Sequence, residues 1–137
     1  MDPFGIFKVS ASALAAQRER MNVIASNLAN VHSTRSEDGG PYTRRDVLFS
    51  AEPLEEGETP LEGVKVTGIV KDTSSYNMVY DPGHPDADAE GFVPMPNVNV
   101  IEEMVNMMMA FRAYESSVAA FNTSKAMLQK ALELGRV

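Results

Sequence analysis

Apolar residues recur every seven positions at both ends of this chain. Phe7, Leu14, Met21 and Leu28 form one row near the start, and Val100, Met107, Tyr114, Phe121 and Leu128 form another near the end. A second row accompanies each. Ser10, Gln17, Ile24 and Val31 stand three residues after the first set, and Met104, Phe111, Val118, Lys125 and Leu132 stand four after the second. A seven-residue period keeps one line of side chains facing a partner as two helices supercoil left-handedly, so both ends read as coiled-coil helices that meet. The first helix is predicted from about Lys8 to about Val31 with Ser10 or Ser12 as its cap. The second begins after Asn97 or Asn99, its candidate caps, and ends near Gly135.

The middle of the chain alternates with period two instead. Residues 42–49, 64–71 and 76–80 read as short strands of one small antiparallel sheet, marginal unless a terminal helix or another subunit covers a face. The acidic stretch 52–62 and the stretch 81–85 read as loops, and Pro94 and Pro96 hold the chain extended before the second helix. The expected fold class is α+β, mainly α, with antiparallel N- and C-terminal coiled-coil helices and a small antiparallel β segment between them. The divisions fall at residues 1–32, 33–97 and 98–137.

Seam burial alone leaves two such helices marginal, because ordering their backbone costs about 1 to 2 kcal/mol per residue. Met108, Met109, Ala110, Ala113, Ala119 and Ala120 widen the apolar surface beyond what one partner helix covers. Either the central sheet or further subunits must cover it. The run Met107 to Met109 suits contact with several surfaces, since an unbranched thioether fills irregular gaps.

Composition removes several chemistries. The 137 residues contain no cysteine, which excludes disulfides, thiolate metal sites and a cysteine nucleophile. A net charge of −7 argues against a nucleic-acid partner. No 18-residue apolar run exists, so no direct membrane insertion is expected, and the start lacks the pattern of a secretory signal while leaving other export routes open. No G-x-S-x-G elbow and no phosphate-cradling glycine loop occurs. The chain reads as a non-enzyme without cofactor. Asp86, Asp88, Glu90 and Gly91 mimic the opening of a calcium loop, yet the twelfth position is Asn97 where a bidentate glutamate is required. A solvated turn that docks on a neighbouring subunit is the simpler reading. His32 and His84 lack a companion at ligand spacing, so no metal site is assigned.

Ser12-Ala13-Leu14, followed by the run from Arg20 through Asn22, Ile24, Asn27, Leu28 and Asn30 to Val31, closely resembles the N-terminal signature of bacterial flagellar rod and hook axial proteins. The resemblance continues through Gly39-Gly40-Pro41-Tyr42, residues 79–87 and 96–100, Arg112-Ala113-Tyr114-Glu115 and Phe121-Asn122, and so covers nearly the whole chain. Ser26 and His32 stand where asparagine is common in that signature. The small middle segment is similar to that of proximal-rod members. The resemblance implies a structural subunit of the rod that crosses the periplasm. It implies export through the flagellar type III apparatus and assembly with copies of itself, other rod subunits and basal-body proteins. The two terminal segments would form an inner axial domain, folding fully only on docking. The expected assembly interface comprises Leu14, Met21, Asn22, Ile24, Asn27, Leu28, Asn30 and Val31 from the first helix. From the second come Val100, Met104, Met107, Phe111, Tyr114, Val118, Phe121 and Leu128. Asn22, Asn27 and Asn30 are candidates for setting register between subunits, or else solvent-facing polar positions. The alternatives are a soluble helical-hairpin adaptor and a calcium-loop binding module.

Overall fold

A computed structural model describes residues 4–54 and 61–136, so most of the predicted acidic loop, residues 55–60, lies outside the described part. Helix α1 spans Gly5–Ala29 and helix α2 spans Val100–Leu134. Between them lie strands β1 (Arg45–Pro53), β2 (Glu62–Lys71), β3 (Asn77–Tyr80) and β4 (Phe92–Met95).

The helices are antiparallel. At one end the rings of Phe7 and Phe121 meet edge to face with centroids 5.0 Å apart, and at the other Asn27 bonds to Glu103. At about 1.5 Å per residue, the 35 residues of α2 outreach the 25 of α1 by roughly 15 Å. Asn99 caps α2, its side-chain oxygen accepting from the backbone N–H groups of Ile101 and Glu102, with Glu102 and Glu103 complementing the positive end of the helix dipole. The predicted serine caps of α1 are not caps. The helix starts earlier, at Gly5, because nothing between Phe4 and Ser10 interrupts it. Ser10 is buried on the helix, and the Ser12 hydroxyl donates to Val9 O while accepting the Val64 N–H, which covers an otherwise unpaired stretch of the β2 edge.

The strands form two antiparallel ribbons, not one three-stranded sheet. β1 pairs with β2 through a register that shifts between Leu48 and Phe49, and β3 pairs with β4 from Asn77↔Met95 to Tyr80↔Phe92. β4 contains Pro94 and escaped the reading of the sequence for that reason. A two-stranded ribbon has an edge on both sides, and an edge tolerates proline. Its start is set by Gly91, at φ +85°, where a Cβ would lie 2.9 Å from the Tyr80 ring.

Period and exposure together locate the helix seam. In α2 positions 103, 107, 110, 114, 117, 121, 124 and 128 are shielded at intervals of four and three, with 106, 113 and 118 beside them also partly shielded. Met107, Tyr114 and Phe121 therefore face α1 as the heptad predicted, while Leu128 of that row lies beyond the start of α1 and Val100 is exposed. The companion row runs one residue earlier than expected: Glu103, Ala110, Ser117 and Ser124 lie inward, while Met104, Phe111, Lys125 and Leu132 are exposed and Val118 is half-buried. Close approach of two helices favours the small side chains, and the larger apolar ones are left outside. The core itself is thin, made of Ala16, Val23, Ile24, Tyr42, Val93, Val98 and Ala110.

Candidate assembly interface

Two features define the surface that this chain offers. One is a buried polar hub that fixes how the helices and ribbons sit together. The other is an apolar face that the single chain leaves uncovered.

The hub lies where the end of α1 meets the start of α2. Asn27 and Glu103 are both 0% exposed. The Asn27 amide donates to Arg45 O at 2.8 Å and to a Glu103 carboxylate oxygen at 3.0 Å, and its carbonyl accepts from the Tyr42 hydroxyl at 2.9 Å and the Arg45 N–H at 3.0 Å. All four of its hydrogen-bonding positions are thereby filled. The second oxygen of Glu103 accepts from Arg44 Nε at 2.6 Å, and the Arg44 guanidinium also lies 3.4 Å from Asp46 and 3.5 Å from Asp72. Arg44 N–H donates to the Asn97 side chain, whose amide donates to Ser74, so the link before α2 is tied to the same point. One α1 residue thus orients β1, the segment before it and α2 at once.

This arrangement corrects the expectation for Asn27. It is wholly enclosed within its own chain and sets geometry inside the subunit, and Ile24 is likewise buried and unavailable to a neighbour. Asn30 serves its own helix end, donating to Ser26 O and accepting from Ser33. Asn22 is exposed, and Leu14, Met21, Leu28 and Val31 are half-buried. The sequence reading missed Tyr42, Arg44 and Glu103. Glu103 stands on neither heptad row of the sequence, and the cation it needs is brought near only by the fold.

The uncovered face runs along the first three turns of α2. Ile101 is 75% exposed, Met104 55%, Met108 59% and Phe111 51%, with Val105 and Met109 between them. Single soluble chains rarely leave large apolar side chains this concentrated in water.

The family model described as "Flagella basal body rod protein" matches residues 7–35, and the one described as "Flagellar basal body rod FlgEFG protein C-terminal" matches residues 89–134. The flagellar basal-body rod protein FlgC of Salmonella typhimurium is 46% identical over 131 residues, 96% of each chain. FlgC of Bacillus subtilis is 43% identical over 99% of this chain and 100% of its own, and that of Borreliella burgdorferi is 40% identical over 98% of each. The chain belongs to the FlgC family.

FlgC-family membership makes it a structural rod subunit of the flagellar basal body, and the adaptor and calcium-loop alternatives are not favoured. Among the described residues, no helix is long and apolar enough to cross a membrane. The calcium-like loop of this FlgC-family chain is docked on its own subunit. Arg35 holds one Asp86 oxygen through Nε at 2.8 Å and a terminal nitrogen at 2.6 Å, Thr34 holds the other at 2.8 Å, and Asp88 accepts from the N–H groups of Glu90 and Phe92. These carboxylates are spent on donors. The Arg35 hydrogen bond, followed by that of Thr34, keeps the Asp86 carboxyl below the usual carboxylate range. A depressed value means that the tie is fully present above the ordinary pKa and is lost as pH falls through the lowered one. An NMR titration is expected to show the Asp86 carboxyl ionising at lower pH than in Arg35→Ala, and identical midpoints would refute the tie.

Proposed function

We propose that this chain is a subunit of the proximal rod that polymerises through α1 and α2 with copies of itself and with other rod and basal-body proteins. In this role it helps to transmit torque across the periplasm and to form the wall of the export conduit, and it arrives through the flagellar type III apparatus. It performs no catalysis and carries no cofactor. Residues 1–32 and 98–137 form the inner axial layer, and residues 33–97 lie outside it and contact neighbours. The interface draws on the predicted positions that remain available at the surface, chiefly Asn22 on α1 and Val100, Met104 and Phe111 on α2, with half-buried Leu14, Tyr114 and Val118 at its margin.

The observation that carries this reading is the exposed row Ile101, Met104, Val105, Met108, Met109 and Phe111 in a rod-family chain. Left in water, such a row forgoes roughly 1.5 to 3 kcal/mol for each side chain that a neighbour would fully bury. Met108→Asp tests it. Because Met108 points away from the chain, its monomer stability is expected to change by no more than about 0.5 kcal/mol. Incorporation into isolated rods, and with it motility, is expected to fail. Rods that form normally with Asp at this position would remove the reading.

A further inference from the structure

Methionine is the side chain of this sequence most open to mild oxidation. Nine methionines stand in a chain with no cysteine and no tryptophan, so no thiol competes with them for a peroxide. Exposure then sorts them. Met104, Met108 and Met109 are each more than half exposed, and they lie within about 8 Å of helix axis on the uncovered face of α2. Met107, in their midst, is turned toward α1 and half-buried, as are Met21 and Met95 elsewhere in the chain. Met78 and Met127 are exposed too, but each stands apart from any other methionine. Three accessible thioethers are thus gathered on one apolar patch.

We propose that Met104, Met108 and Met109 are a modification site: a peroxide oxidises their thioethers in the free chain, and the sulfoxides keep that chain out of the rod. The inference rests on the covering of this face by a neighbour, proposed above, and adds a chemical control to it. In each step the O–O bond of hydrogen peroxide breaks, one oxygen atom bonds to sulfur, and the other leaves as water. Sulfur is oxidised by two electrons and the peroxide is reduced by two. The product replaces an apolar, adaptable side chain with a polar S=O group, which costs free energy when buried without a hydrogen-bond donor. A thiol-dependent methionine sulfoxide reductase reverses the step, the oxygen leaving as water while two thiols become a disulfide. Docking covers the three sulfurs. The site therefore acts on chains not yet placed and spares those already in the rod.

The test uses the full chain in a flagellated host that lacks methionine sulfoxide reductases and is grown with sublethal hydrogen peroxide. Peptide mass spectrometry reads the sulfoxide at each methionine in the unassembled chain and in isolated rods. In the unassembled chain, Met104, Met108 and Met109 are expected to oxidise before Met21, Met95 and Met107. Their oxidised fraction is expected to be about tenfold lower in rods, since losing the burial of one thioether suffices for a contact that much weaker. Equal fractions in the two pools would overturn the inference. A chain carrying Met104→Leu, Met108→Leu and Met109→Leu separates exclusion from mere protection: peroxide given before rods form is expected to lower rod number for the unsubstituted chain and not for this one. An equal fall for both would overturn the block. The first measurement needs no substituted chain and decides by itself should the leucine chain fail to assemble. Normal rods from Met108→Asp would instead remove the covering of this face, and this inference with it.

Discussion

Arg44→Met is expected to destabilise the folded chain by about 3–5 kcal/mol, the range found when one partner of a buried ion pair is removed. Glu103 is fully enclosed, and Arg44 is the cation within hydrogen-bonding distance of it. Methionine preserves much of the stem volume and deletes the guanidinium, leaving a carboxylate that Asn27 alone supports on its other oxygen. Asp46 and Asp72, now held near by the same cation, add like charge around the vacancy. Urea unfolding measures the loss. A decrease below about 1 kcal/mol would mean that Glu103 is reached by water and that the hub is not a buried charge site.

A second substitution separates the energy of the pair from the damage of orphaning one partner. Arg44→Met combined with Glu103→Met is expected to lose less stability than Arg44→Met alone, because two charges removed together leave neither unpaired. Apolar replacement of both should preserve much of the stability while relaxing the angle between helices and ribbons. In a rod subunit that angle determines where the middle segment lies relative to the terminal helices. The hub therefore links a stability measurement to an assembly measurement: a doubly substituted chain that folds but enters rods poorly would show that geometry, more than stability, is what these residues supply.

How much of this was legible in the sequence depends on what kind of signal each part leaves. The two heptad rows led directly to an antiparallel helix pair, and Asn99 was one of two candidate caps, since a cap needs no distant partner. The companion row of α2 was misplaced by one residue, since periodicity weighs Met104 and Phe111 above Ala110 and Ser117. Close packing reverses that weighting, because the face nearest α1 has room only for small side chains. β4 was hidden by Pro94, whose cost depends on whether the strand is central or at an edge. Arg44 and Glu103 are 59 residues apart, and neither announces the other. Charged residues reveal burial only when the fold supplies the partner.

The three asparagines of the N-terminal signature show the same limit and yield the sharpest contrast. Asn22, Asn27 and Asn30 look alike in sequence, yet their surroundings assign them unequal costs. Asn27→Ala strips partners from the Arg45 backbone N–H and C=O, the Tyr42 hydroxyl and one Glu103 oxygen in a single step. Each buried polar group left without a partner costs about 1–3 kcal/mol, so a loss of roughly 3 kcal/mol or more is expected after partial rearrangement. Asn22→Ala lies on the exposed side of α1 and should leave monomer stability within about 0.5 kcal/mol of the parent, with alanine's higher helix propensity acting in its favour. Thermal and urea unfolding of both variants would decide the matter. Equal losses at the two positions would contradict the buried hub, whereas a large loss at Asn27 alone would place that asparagine's role inside the subunit and leave Asn22 free to act between subunits.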